Sequence, residues 1–159
     1  MNRRGFTLGE LVIVIVIMGV LAFASYPALS SLGSFGLAAA GRGLAADLEF
    51  VKSRAISTHT ICGATFDVAG DTYTLFTGTP STPLQHPLRP GQSYVVRLAG
   101  QRVDLVSATF GGSAQVRFDG LGQPLDGANQ PYSAQGRVIL ARGAVRDTVC
   151  VDAFTGGVR

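Results

Sequence analysis

Apolar and polar positions follow three different rules along the chain. From residue 6 to residue 26 nearly every position is apolar, in the run FTLGELVIVIVIMGVLAFASY. Those 21 residues would span roughly 31 Å as a helix at about 1.5 Å per residue, matching a hydrocarbon core of about 30 Å. A helix that is apolar on every side needs lipid or neighbouring helices all round it. Further on, Leu37, Gly41, Leu44, Leu48, Val51 and Ala55 recur at alternating intervals of four and three, while Arg42, Asp47, Glu49, Lys52 and Arg54 fall off that line. This is a single helical stripe, and it predicts one covered face docked on the chain's own globular part. Glu49 and Lys52, three apart, read as a helix-supporting pair. Between the two helical regimes lies Tyr26-Pro27, where the missing proline N–H predicts a kink or a melted turn.

From residue 60 the period shifts towards two. Residues 60–68 and 72–78 flank Ala69-Gly70-Asp71 and predict a β-hairpin. Residues 79–91 hold Pro80, Pro83, Pro87 and Pro90, which predicts a surface loop without regular strand pairing. Further strands are expected at 93–98, 102–110 and 114–119. Asp119-Gly120-Leu121-Gly122-Gln123-Pro124 is turn chemistry, 126–132 reads as a loop, and 137–142 with 145–152 forms a second hairpin across Gly143-Ala144. The expected fold class is α+β, a long N-terminal helix over residues 6–58 on a small antiparallel β-rich head, 59–159.

Composition sharpens this picture. The chain has 159 residues, 47% hydrophobic and 14% charged, with a formal charge of +3. Of its 13 basic residues, Arg3 and Arg4 precede the apolar run, leaving 11 against 10 acidic ones. The body is therefore close to neutral and offers no broad basic face for nucleic acid. Arg3 and Arg4 predict a cytoplasmic N-terminus, a single pass, and a head outside the cytoplasm. His59 and His86 lie far apart, Cys62 and Cys150 fit no metal motif, and Gly111-Gly112 and Gly120–Gly122 lack the lysine and helix of a phosphate loop. The aspartates mostly flank strands and turns, where they cap backbone. Neither catalysis nor a cofactor or metal is expected. For Cys62 and Cys150 the extracytoplasmic placement favours a disulfide tying the first strand to the last hairpin, over two unpaired buried thiols. Its long loop would contribute about 4–5 kcal/mol in the chain-entropy model.

Glu10 decides how the apolar run is used. A carboxylate in a membrane helix costs up to about 2.5–3.5 kcal/mol at the midplane, so it calls for a partner. Ala22-Phe23-Ala24 has the form of a secretory cleavage site, which would release a β-rich protein starting at Ser25. Neither that reading nor a plain anchor provides a partner for Glu10. The stretch Gly5-Phe6-Thr7-Leu8-Gly9-Glu10-Leu11, after two arginines and before an apolar run, resembles the prepilin signature of type IV pilins and type II secretion pseudopilins. The resemblance implies removal of residues 1–5 by a prepilin peptidase cutting between Gly5 and Phe6, and N-methylation of Phe6. It also implies a retained helix with 6–26 in the membrane, and a Glu10 that meets the amino terminus of a neighbouring subunit during assembly. Gly9 departs from the bulky apolar residue usual there and costs roughly 1 kcal/mol of helix propensity relative to alanine.

Within that family, residues 44–56, the strand-turn Val116-Arg117-Phe118-Asp119-Gly120 and the closing Thr155-Gly156-Gly157-Val158-Arg159 resemble the GspH/FimT subgroup of minor pilins and minor pseudopilins, whose head is two small antiparallel sheets on the helix. The resemblance implies a minor subunit of a type IV pilus or a type II secretion pseudopilus, aiding assembly or tip function. Its partners would be other pilins or pseudopilins along the N-terminal helix. It would reside first in the inner membrane and then in a periplasmic pseudopilus or a surface pilus. Some members bind DNA in transformation through a C-terminal Gly-Arg-x-Arg motif. Gly156 and Arg159 match it and Gly157 replaces the first arginine, so the alternative of DNA binding would rest on Arg159 with Arg142 and Arg146.

Overall fold

The computed structural model describes residues 7–159, with the side chains of 24–34 outside the description. Helix α1 runs Leu8–Thr58. The chain divides into two compact units, Met1–Phe35 and Gly36–Arg159.

In the first unit every described side chain from Thr7 to Phe23 is exposed, including Leu11, Ile15, Met18 and Phe23. The protein therefore provides this segment with no apolar cover of its own. Among the described residues no helix is long and apolar enough to cross a membrane; the predicted span 6–26 extends past them at both ends. Helix continues through Tyr26-Pro27, so the predicted melted turn does not form. One lost N–H bond is a local cost that the flanking helical turns absorb.

In the second unit the stripe is buried as its spacing predicts. Leu44, Leu48, Val51 and Ala55 have no exposed surface, and Leu37 and Ala40 have almost none. Strands β1 (Cys62–Asp67) and β2 (Thr72–Thr77) form the first hairpin. They are joined by β5 (Val95–Arg97), β7 (Gln115–Phe118) and β8 (Pro124–Leu125) in a five-stranded sheet ordered β5-β2-β1-β7-β8. A three-stranded sheet, β10-β9-β6, is built from β6 (Asp104–Thr109), β9 (Gly136–Arg142) and β10 (Val145–Val151), all antiparallel. Both sheets close over α1 in one core that includes Leu48, Phe66, Leu75, Phe118, Leu140 and Val151. The hairpin β9–β10 approaches the helix at its glycines. The Arg142 guanidinium lies against Gly36 and the Asp147 carboxylate against Gly41, where a β-carbon would collide.

The proline-rich stretch is not the unpaired loop expected of it. It carries a two-stranded ribbon, β3 (Gln85–His86) and β4 (Arg89–Ser93), rooted in β2 by Leu84 N–H to Leu75 O at 2.8 Å and Leu75 N–H to Tyr94 O at 3.0 Å. Pro90 is tolerated because β4 is an exposed edge, where a missing donor faces solvent. The ribbon is pinned to the helix through one carboxylate. Tyr73 and Tyr94 donate to the two oxygens of Asp47 at 2.6 and 2.7 Å. Burial and the Asp47 charge push the Tyr73 hydroxyl far above the usual phenol range. Tyr94 is pushed up to about 12, by burial first and then by its bond to Asp47.

Two stability predictions follow from this packing. Leu48→Ala is expected to cost about 2–5 kcal/mol, because the site is enclosed on all sides, and Tyr73→Phe about 1.5–3 kcal/mol for a lost bond to a charged group. Denaturant titration of the full chain in detergent checks both; a change below about 0.5 kcal/mol in either would contradict the packing described.

Candidate assembly site

Thr7 and Glu10 form a reciprocal pair at the start of α1. Thr7 O accepts the first helical bond from Leu11 N–H at 3.3 Å, which makes Thr7 the N-cap. Its Oγ1 accepts the Glu10 N–H at 3.3 Å, and Glu10 Oε2 accepts both the Thr7 N–H at 2.9 Å and the Thr7 hydroxyl at 3.0 Å. This is a capping box, in which two helix-end N–H groups that lack intrahelical partners are satisfied. The spacing Thr-x-x-Glu was present in the sequence, yet Thr7 was not singled out there. The box uses Oε2 alone, and the second oxygen takes no part in it. A carboxylate in the first turn also complements the positive end of the helix dipole. The predicted cleavage and methylation positions, Gly5 and Phe6, lie outside the described residues.

The chain's other end is tied to the same helix. Beyond β10 the backbone turns on Asp152, whose Oδ1 accepts Phe154 N–H, Thr155 N–H and the Thr155 hydroxyl at 3.0, 2.8 and 3.0 Å. Those bonds, from the Thr155 and Phe154 amides first, hold the Asp152 carboxyl below its ordinary range. The last residues then return along β10: Cys150 and Arg159 exchange two backbone bonds at 2.7 and 3.0 Å. Lys52 Nζ donates to Thr155 O at 3.0 Å, and Val158 N–H donates to Glu49 Oε1 at 3.0 Å. Glu49 and Lys52, predicted to support the helix as a pair, instead each clamp the C-terminal tail. Sequence separation of more than a hundred residues hid this.

The predicted disulfide is absent: Cys62 and Cys150 are both free. Cys62 is buried on β1, with Sγ 3.4 Å from Thr77 Oγ1. On β10, Val149 and Val151 face the core, and strand alternation turns Cys150 to the opposite face. The two thiols therefore belong to different sheets and point to different sides. The three predicted arginines stand at different points of β9, β10 and the tail. Arg142 lies against Gly36 of α1. Arg146 and Arg159 are exposed, but Arg159 pairs beside Cys150, four residues from Arg146, about 13 Å along the strand. Arg137, opposite Cys150 in register, is nearer to Arg159 and was not anticipated. Among the described residues no three His, Cys, Asp or Glu side chains gather in a metal-binding group.

Residues 1–26 match the model of the prokaryotic N-terminal methylation motif. No curated protein matches the chain. Among solved structures the chain is similar to the minor pseudopilin EpsH of the Type 2 Secretion System of Vibrio cholerae, at TM-score 0.56 and 15% identity, covering 77% of this chain and 94% of that one. It is also similar to the type IV minor pilin FimU of Pseudomonas aeruginosa PAO1, at TM-score 0.52 and 12% identity, covering 77% and 90% of the two chains. The chain is thus pilin-like in its N-terminal motif and in its fold, a helix packed on antiparallel sheets.

Thiol labelling checks the cysteine geometry. Maleimide is expected to modify Cys150 in the folded full-length protein and Cys62 only after unfolding. Resistance of both to labelling until a reductant is added would restore the disulfide.

Proposed function

We propose that this chain is a minor pilin or pseudopilin subunit: a structural component of a helical filament, held in the inner membrane by α1 before assembly and then extracted into the fibre. The observation that carries this reading is the coincidence of the methylation motif over residues 1–26 with a Glu10 that closes the first turn of an otherwise apolar, uncovered helix. Prepilin peptidase removes residues 1–5, so that the new amine of Phe6 stands one residue before the N-cap. Glu10 then has two tasks. Oε2 closes the capping box and keeps the helix start rigid, while the other oxygen meets the charged amine of an adjacent subunit. Inside a bundle of apolar helices the dielectric is low, and an unpartnered carboxylate or amine is costly there. A neighbour set at the wrong axial height leaves both charges unpaired, so the pairing selects the register.

The subunit does no chemistry in this account. Its similarity to EpsH and FimU is similarity to structural pilins, and its work consists of helix packing and head-to-head contact. The partners are other pilin-like subunits, whether in a type II secretion pseudopilus or a type IV pilus.

The test is Glu10→Ala in the full-length chain expressed with its filament machinery. Incorporation into sheared fibres is expected to fall at least about tenfold, the scale of one lost pairing of about 1.4 kcal/mol, while the amount in the membrane stays within about twofold. Glu10→Gln separates the two tasks: the amide keeps an acceptor for the Thr7 N–H but loses the charge, so it too is expected to assemble poorly. Normal assembly of both variants would remove the charge-pairing role.

A further inference from the structure

Acidic residues are unevenly spread along the head. From Thr72 to Val103 the sequence holds no aspartate or glutamate, yet Arg89, Arg97 and Arg102 all fall inside that stretch. The head is close to neutral as a whole, so this is a local excess of positive charge. The stretch builds β2, the β3–β4 ribbon and β5, an edge strand of the five-stranded sheet.

Tyr94 decides which way the side chains of this edge point. Its hydroxyl bonds to Asp47 of α1 at 2.7 Å, and Val96 packs against the core. Strand alternation then sends Ser93, Val95 and Arg97 to the outer face, where all three are exposed. A cavity of about 500 Å³ opens there, lined by Arg89, Gln92, Ser93, Val95 and Arg97. Four of these side chains carry donors: two guanidiniums, an amide and a hydroxyl. Among the described residues none of the four has a side-chain hydrogen bond or ion pair within the chain.

Two carboxylates stand near this edge, and neither lines the cavity. Asp71 precedes Thr72, the register partner of Arg97, and its Oδ1 accepts Leu105 N–H at 2.8 Å. Asp47 lies beneath Tyr94, with both oxygens taken by tyrosine hydroxyls. Two guanidiniums that share one cavity repel each other, and no carboxylate among the described residues pairs with either. The charge balance of the site calls for an anion from outside the chain.

We propose that this cavity binds a phosphoryl group, held between the Arg89 and Arg97 guanidiniums with Gln92 and Ser93 as further donors. A guanidinium fork meets a phosphoryl group through two parallel N–H bonds. A phosphoryl group has oxygens enough for both forks, whereas a monocarboxylate has only two to divide between them. The volume falls in the range of small-molecule sites, which leaves room for a second phosphoryl or for the organic group that carries the first. A soluble phosphoester and a lipid headgroup share this chemistry. The site uses no residue of the helix start, so it stands or falls apart from the assembly reading.

The experiment reads arginine reactivity in the full-length chain in detergent. Modification by phenylglyoxal is followed residue by residue by mass spectrometry, while inorganic pyrophosphate is titrated at constant ionic strength. At about four times its Kd, Arg89 and Arg97 are expected to react about fivefold more slowly, because the free-site fraction falls as 1/(1 + L/Kd), with L the free ligand. Arg102, in the same acid-free stretch but outside the cavity lining, is expected to keep its rate. Arg97→Gln is expected to abolish the protection of Arg89, and Arg102→Gln to preserve it; resistance of Cys62 to maleimide shows that each variant is folded. Phosphatidic acid in the detergent micelles forms a second arm. Stronger protection by it than by pyrophosphate assigns the site to a lipid headgroup, and the reverse order assigns it to a soluble phosphoester. No protection by either compound, equal slowing of Arg102, equal protection by acetate, or protection of Arg89 that survives Arg97→Gln in folded protein would each overturn the proposal.

Discussion

One helix has to satisfy two environments, and the rest of the structure follows from that demand. From Gly36 to Thr58 α1 hides a single stripe, from Leu37 through Leu44, Leu48 and Val51 to Ala55, beneath two sheets. From Thr7 to Phe23 the same helix hides nothing and is apolar on every side. The first part can be stable in a monomer. The second leaves its hydrophobic surface for something outside the chain to cover, either acyl chains or the helices of other subunits. In the proposed role, a membrane or a helix bundle would cover that surface.

The head is fastened to α1 by polar anchors as well as by the stripe. Asp47 takes Tyr73 and Tyr94, which couples the helix to the five-stranded sheet and to the root of the ribbon. Glu49 and Lys52 take the C-terminal tail, which returns along β10 and covers its end. Apolar burial is non-directional and would allow the sheets to slide along the stripe. Hydrogen bonds of fixed length on either side of the helix remove that freedom. The head is therefore set at one height on this part of the helix, which is what the proposed filament role would need.

Much of this was legible from residue order, and the misses have physical causes. The α1 stripe was readable because a period of 3.6 survives intervening glycines. The β1–β2 and β9–β10 hairpins were readable because their turns carry strong local signals. The ribbon was missed because four prolines outweigh everything else in a local reading, although Pro90 sits on an exposed edge where it costs nothing. The cysteine pairing failed on a two-residue period: between inward Val149 and Val151, Cys150 has to face outward. The clamps from Glu49 and Lys52 to the tail were invisible because no local pattern records a contact across the whole length of the head. At the helix start the reverse holds. Thr-x-x-Glu is a short, readable cap, but the cost of a carboxylate in an apolar run drew attention to Glu10 and away from Thr7.

The account stands on the fate of the first thirty residues, and the mass of the mature amino terminus decides it. Protein purified from membranes of cells carrying the native prepilin peptidase should begin at Phe6 and bear one added methyl group on its amine. A mature chain beginning at Ser25 would show that the apolar helix is discarded, and the filament reading would be wrong.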